Sequence, residues 1–119
     1  MEAPKVFNSE YRFCLILWEN EPINSTKLAG LCKEQLGWSR STTYTVIRRL
    51  AERGVLKNDN TIVSSLVSKE QVQQAEMEEM MERTFEGSVP AFIAAFANSK
   101  RLTKEDIAQL ESLIENYKE

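Results

Sequence analysis

The sequence predicts a mainly α fold: a winged helix-turn-helix domain with a small β-hairpin, followed by a three-helix region. Three observations predict it. Apolar residues recur at helical spacing in six stretches, cap-forming residues stand where helix ends need them, and two β-prone runs bracket Asn58-Asp59-Asn60. Asn8 or Ser9 can cap a first helix, which carries Tyr11, Phe13, Cys14, Ile16, Leu17 and Trp18 up to the Asn20-Glu21-Pro22 turn. Asn24 or Ser25 can cap a second, whose Leu28, Leu31, Cys32 and Leu36 share a face. Gly37 supplies the left-handed stop that helix ends favour. Ser39 opens a third helix, about residues 39–53, with Thr43, Val46, Ile47 and Leu50 on its apolar face and Gly54 at its end. Val55-Leu56-Lys57 and Thr61-Ile62-Val63 then form a hairpin through Asn58-Asp59-Asn60.

The second half reads as helical throughout. Ser68 with Gln71 makes a capping box for a long helix, in which Val72, Ala75, Met80, Met81 and Phe85 form a stripe that ends at Gly87. Ser88 caps a short helix with Pro90 in its first turn and Phe92, Ile93 and Phe96 as apolar residues. Thr103 and Asp106 open the last helix, lined by Ile107, Leu110, Leu113, Ile114 and Tyr117. The predicted domains are 1–68, a DNA-binding winged helix, and 69–119, a helical dimerisation region. About 50 residues in three short helices bury too little surface to stand alone, and pairing with a second copy supplies the missing core. Met80, Met81, Phe85, Phe92, Ile93, Phe96, Ile107, Leu110, Leu113 and Ile114 are the candidate dimerisation residues.

Composition excludes most other function classes. The 119 residues include no histidine and two cysteines, so no Ser/His/Asp or Cys/His arrangement can be assembled and a four-ligand zinc site is out of reach. The four glycines, Gly30, Gly37, Gly54 and Gly87, form no phosphate-cradling motif. The expectation is a protein that is not an enzyme and uses no metal or cofactor. Cys14 and Cys32 read as small buried hydrophobes of a reducing compartment. The longest apolar run, Phe13 to Trp18, is about a third of a bilayer span, and MEAPKVFNSE lacks the features of a secretion signal. A cytoplasmic protein with no membrane partner is expected.

The formal charge of -3 conceals an asymmetry. Met1 to Ser68 holds nine basic against seven acidic residues, or +2, whereas Lys69 to Glu119 holds six against eleven, or -5. Between Gly37 and Lys57, five cations meet only Glu52. The side of the third helix left free by its core face carries Arg40, Ser41, Thr42, Tyr44, Thr45, Arg48 and Arg49. Small hydroxyl residues near a helix N-terminus can meet base edges, and guanidinium forks can grip guanine or phosphate. Ser39, Arg40, Ser41, Thr42, Tyr44, Thr45, Arg48, Arg49 and Lys57 are therefore the candidate contacts to double-stranded DNA, with Arg48 read as a phosphate clamp.

These residues also carry a resemblance. Trp18, Trp38-Ser39, Arg49-Leu50 and Arg53-Gly54 match the penicillinase and methicillin-resistance repressor family (BlaI/MecI type). In that family a tryptophan ends the first helix and a Trp-Ser pair opens the recognition helix. Leu66-Val67-Ser68, Phe85-Glu86-Gly87-Ser88 and Leu102-Thr103-Lys104-Glu105-Asp106-Ile107 continue the family order through the second half. The resemblance implies a homodimeric transcriptional repressor that binds a palindromic operator. It also marks three departures. The hairpin lacks the basic and aromatic residues of the family wing, and Arg40 replaces a usual proline. Ala95-Phe96 stands where typical members carry the Asn-Phe bond cleaved in a sensor-protease pathway, so Phe96 matches and Ala95 does not. No cysteine metal motif of the copper-responsive branch follows Cys32. Two alternatives stay open: an interaction module that no longer binds DNA, and a repressor sensing a small ligand among Phe85, Phe92 and Phe96.

Overall fold

A computed structural model of the chain describes residues 4–99 and 102–117. Its order is α1 (Asn8–Asn20), β1 (Ile23–Asn24), α2 (Ser25–Leu36), α3 (Arg40–Glu52), β2 (Leu56–Asp59), β3 (Ile62–Ser65), α4 (Lys69–Phe85), α5 (Val89–Asn98) and α6 (Lys104–Tyr117). This is the mainly α, winged-helix arrangement the periodicities predict, with one addition. Ile23 and Asn24 pair with Val63 and Ile62, so the hairpin is part of a three-stranded antiparallel sheet ordered β1-β3-β2. Two residues, the second of them the cap of α2, are too few to show a strand period, which is why the sequence hides this strand.

The chain forms two compact units, Met1–Met77 and Glu78–Glu119. The first is built around side chains of α1, α2, α3 and the sheet. Phe13, Leu17, Leu28, Leu50 and Leu56 are fully buried, and Val67 and Val72 join the same core. The boundary falls inside α4: Val72, on its first turn, belongs to the first unit's core, whereas Met81 and Phe85 lie in the second unit. The Trp18 indole donates to the carbonyl of Val67 at 3.0 Å, tying the end of α1 to the segment leading into α4. Cys14 and Cys32 are buried free thiols. Burial, reinforced by the nearby Glu10 charge, pushes the Cys14 thiol up to about 12. Burial also raises Cys32, against a smaller opposing effect of the Thr43 hydroxyl. Both stay protonated and pack as small apolar groups.

Most helix ends follow the predicted caps. Asn24 Oδ1 accepts from Thr26 N at 2.8 Å, and Ser68 and Gln71 exchange reciprocal bonds at 2.8 and 3.0 Å. Ser88 Oγ accepts from Ala91 N, and Thr103 and Asp106 form a second reciprocal pair. The first helix differs. Asn8 and Ser9 lie in its first turn, and the N-cap is Phe7, whose N–H donates to Glu10 Oε1 at 3.0 Å. Glu10 prevails because Arg53 fixes it from across the domain. Arg53 Nη1 donates to Glu10 Oε2 at 3.2 Å, Nη2 donates to Oε1, and Nη2 also reaches the carbonyl of Lys5 at 2.9 Å. Burial pushes the Glu10 carboxyl up, but the Arg53 and Phe7 hydrogen bonds and the Arg53 and Arg49 charges outweigh it, leaving it below the usual range.

The hairpin turn also sits one step later than predicted. β2 continues through Asp59, and the two turn residues are Asn60 and Thr61, with φ of 51° and 69°. Two consecutive positive φ values are the signature of a type I′ turn, which prefers glycine second because a β-branched residue is strained there. Thr61 is retained at that position by its partners: its carbonyl accepts from Ser25 N at 2.8 Å and its Oγ1 from Asn24 Nδ2 at 3.3 Å.

Two stability outcomes follow. Thr61→Gly, which relieves the turn strain and gives up only an exposed side-chain bond, should stabilise the domain by about 1 kcal/mol, read as a raised midpoint of thermal unfolding. Because the folded Glu10 carboxyl lies below its ordinary value of 4.5, its contribution is present above that value and disappears as pH falls through the depressed one. Glu10→Gln should therefore be less stable than wild type in urea titrations at about pH 7, and the gap should narrow progressively as the pH falls below 4.5.

Candidate nucleic-acid interface

The position of α3 is set at both ends and along one face. Its inner face buries Thr43, Val46, Ile47 and Leu50. Before it, Gly37 adopts φ 72° and donates to Lys33 at 3.1 Å, which ends α2 and turns the chain sharply. Trp38 then stacks on Phe13, ring centroids 6.1 Å apart and planes within 5°, so the start of α3 is pinned to α1. Ser39 caps α3 by accepting from Thr42 N at 3.1 Å. At the far end, Gly54 at φ 81° reverses the chain, and Val55 N donates to the carbonyl of Leu50 at 2.9 Å.

With one face committed, the rest of α3 faces solvent. Arg40, Ser41, Thr42, Tyr44, Arg48 and Arg49 are exposed, as is the cap Ser39, and Thr45 is half-buried. Helical periodicity places Ser41, Thr45 and Arg48 in one row, directly opposite the buried face, with Glu52 closing it at the C-terminal end. The acid thus lies at the end of the helix that a recognition helix turns away from bases. Lys57 is exposed on β2. The structure brings together all nine sequence-predicted contact residues on α3, its cap and the adjoining strand.

Three hydroxyls of this surface are hydrogen-bonded within the fold. Ser39 Oγ donates to Thr42 Oγ1 at 2.9 Å while capping the helix. Thr45 Oγ1 donates back to the carbonyl of Ser41 at 3.0 Å. Inside the helix, the Thr43 hydroxyl is buried without a regular hydrogen-bond partner, so its proximity to the Cys32 thiol is only a weak polar contact.

One cation of the sequence cluster is used differently. Arg53 belongs to the Gly37 to Lys57 excess, yet its guanidinium is held by Glu10 and the Lys5 carbonyl and lies 5.2 Å from the Phe7 ring centroid. Its charge is neutralised within the fold. The cations offered outward are Arg40, Arg48, Arg49 and Lys57, and Arg49 is also close enough to Glu10 to help keep that carboxyl ionised. A partner 43 residues away leaves no local pattern, so sequence reasoning had no means to remove Arg53 from the cluster.

The second unit presents a different surface. Phe85 and Phe92 meet edge to face with centroids 5.5 Å apart, and Phe92 and Phe96 lie 6.1 Å apart. Of the residues predicted for dimerisation, Met81 is buried, Met80, Phe85, Phe92 and Leu110 are half-buried, and Ile93, Phe96, Ile107, Leu113 and Ile114 are exposed. No residue of α5 or α6 is buried within the single chain. Ala95 and Phe96 are both exposed in the middle of α5. Among the described residues, no helix is long and apolar enough to cross a membrane.

Comparisons with known proteins place the chain in a family. Over 114 residues, covering 92% of this chain and 93% of its relative, the chain is 22% identical to the methicillin resistance regulatory protein MecI of Staphylococcus aureus. It is 18% identical to the penicillinase repressor of Bacillus licheniformis, over 98% of this chain and 94% of that protein. A methicillin resistance regulatory protein MecI of Mammaliicoccus sciuri is 21% identical over 92% of this chain. The family model described as penicillinase repressor matches residues 8–116, so the chain belongs to the penicillinase repressor family, whose members are transcriptional repressors and not enzymes.

Proposed function

We propose that this repressor acts in the cytoplasm as a homodimer that binds a two-fold symmetric DNA operator, with α3 as the recognition helix. The observation that carries the reading is the row of hydroxyl and guanidinium side chains on the solvent side of α3, capped by Ser39 and bordered by four outward cations. Ser39, Arg40, Ser41, Thr42 and Thr45 are the contacts near the helix N-terminus, where base edges come within reach. Arg48, Arg49 and Lys57 hold phosphates, and Tyr44 adds a polar contact at the margin. With its hydroxyl engaged by the Ser41 carbonyl, Thr45 has its methyl left to offer a thymine methyl.

The second half supplies the dimer. Ile93, Phe96, Ile107, Leu113 and Ile114 are between 40% and 65% exposed, an apolar surface that a second copy would cover. Reading and pairing are assigned to residues 1–68 and 69–119, with α4 shared between the compact units. A single recognition helix reads only a few base pairs. Two copies related by a dyad reach major-groove faces about 34 Å apart or a multiple of it, which requires a palindromic operator.

An operator recovered from a random duplex pool provides the test. Thr45→Ala should relax preference at one base pair of each half-site, costing about 1 to 3 kcal/mol there. Arg49→Ala should weaken all duplexes alike and reduce the salt slope by about 1 for each protomer. Wild-type affinity for both variants would refute the recognition helix. Sedimentation should give a dimer at micromolar concentration, and Leu113→Asp together with Ile114→Asp should shift it to a monomer; a monomeric wild type would refute the dimer.

A further inference from the structure

We propose that Asp59 opposes the electrostatic grip of the hairpin and lowers affinity for every duplex alike, so that DNA affinity rests mainly on α3. This rests on the operator-binding reading above and concerns a part of the surface that reading leaves unexplained.

The register of the hairpin carries the inference. On β2, Lys57 stands opposite Ser64 and Asp59 opposite Ile62. Residues two apart on a strand point to the same face, about 6.6 Å apart along the chain. Lys57 and Asp59 are both exposed, as are the hairpin residues Asn58, Asn60, Thr61 and Ile62. Lys57 and Asp59 are thus the charged pair of one outward face, and no other residue between Leu56 and Ser65 is ionisable. A phosphate close enough to be held by Lys57 lies within about one Debye length, roughly 8 Å, of the Asp59 carboxylate. The attraction and the repulsion therefore act on the same phosphates, and the carboxylate offsets part of what Lys57 contributes.

The hairpin is also held in place. Thr61 O accepts from Ser25 N at 2.8 Å and Thr61 Oγ1 from Asn24 Nδ2 at 3.3 Å, which ties the turn to the start of α2. Ile23 and Asn24 pair with Val63 and Ile62 on the same strand. Asp59 cannot be carried away from the backbone by swinging the hairpin without breaking these bonds. Phosphate contacts hold any sequence equally, and sequence is read at base edges. A carboxylate on the wing therefore lowers affinity for all duplexes by a common factor, while the choice between sequences stays with the contacts of α3.

The test compares wild type with Asp59→Asn, Asp59→Lys and Lys57→Ala on a selected operator and on a scrambled duplex, across a salt series. Thermal unfolding of each variant accompanies it. Asp59→Lys should tighten both duplexes by a similar factor, on the order of tenfold at about 50 mM salt, and steepen the salt slope by about 0.9 per protomer. Asp59→Asn should fall between Asp59→Lys and wild type, and Lys57→Ala, which leaves the acid alone, should weaken both duplexes. Unchanged affinity and slope in both Asp59 variants would overturn the proposal and leave the operator reading standing. So would a loss confined to the operator, which would make the carboxylate an acceptor for a cytosine amino group. Absence of salt-dependent binding by wild type would instead refute the operator reading, and this inference with it.

Discussion

The first unit depends on the burial of one face of α3. Thr43, Val46, Ile47 and Leu50 occupy the centre of a core whose other walls are α1, α2 and the sheet. Removing four side chains from water fixes the rotation of the helix about its axis, because any other rotation would expose apolar surface and bury charged groups. Everything outward on α3 is a consequence of that rotation. The Trp38 stack on Phe13 adds a longitudinal constraint, and the left-handed Gly37 and Gly54 let the chain leave both ends without extending the helix. The outward side chains of α3 are thereby held in fixed relation to one another, since an error in rotation or translation would displace all of them together.

The electrostatics are distributed by the same packing. The whole chain is mildly acidic, and the first 68 residues are only slightly basic. What matters to a DNA-binding surface is which charges remain available. Arg53 is spent on Glu10, and this pair joins the start of α1 to the C-terminal end of α3. The ion pair therefore positions the helix that carries the outward cations without adding to their field. Fewer outward charges make a weaker non-specific attraction to the duplex, which places more of the discrimination on groups that touch base edges.

Local physics was legible in the sequence, and long-range physics was not. The inner face of α3, the caps at Asn24, Ser39 and Ser88 and the reciprocal pairs Ser68 with Gln71 and Thr103 with Asp106 all depend on neighbours within four residues. The Phe7 cap was hidden because Glu10 acquires its role from Arg53. The strand Ile23–Asn24 was hidden because its partner, β3, lies some forty residues on. The turn was displaced because Asn58-Asp59-Asn60 is a plausible turn by composition, and the bonds from Asn24 and Ser25 select Asn60-Thr61 instead. For the candidate site, exposure along α3 followed from periodicity alone, whereas the withdrawal of Arg53 required the folded chain.

The apolar stripe on α4 divides between two tasks. Val72 completes the core of the first unit, and Met81 and Phe85 belong to the second, so one continuous helix has side chains in both. The helices that follow, α5 and α6, have no buried residue of their own in the single chain, which leaves their apolar side chains as the least satisfied part of the molecule. Under the proposed dimer, covering that surface stabilises the second unit only when two copies meet, so its stability depends on protomer concentration. DNA reading then depends on concentration as well. One α3 with an electrically neutral wing holds a half-site weakly, and linking two readers raises the effective concentration of the second at its own half-site. Under the proposed function, weak grip by each reader and strong dependence on pairing are two sides of one economy of contacts, in which each half of the chain supplies what the other lacks.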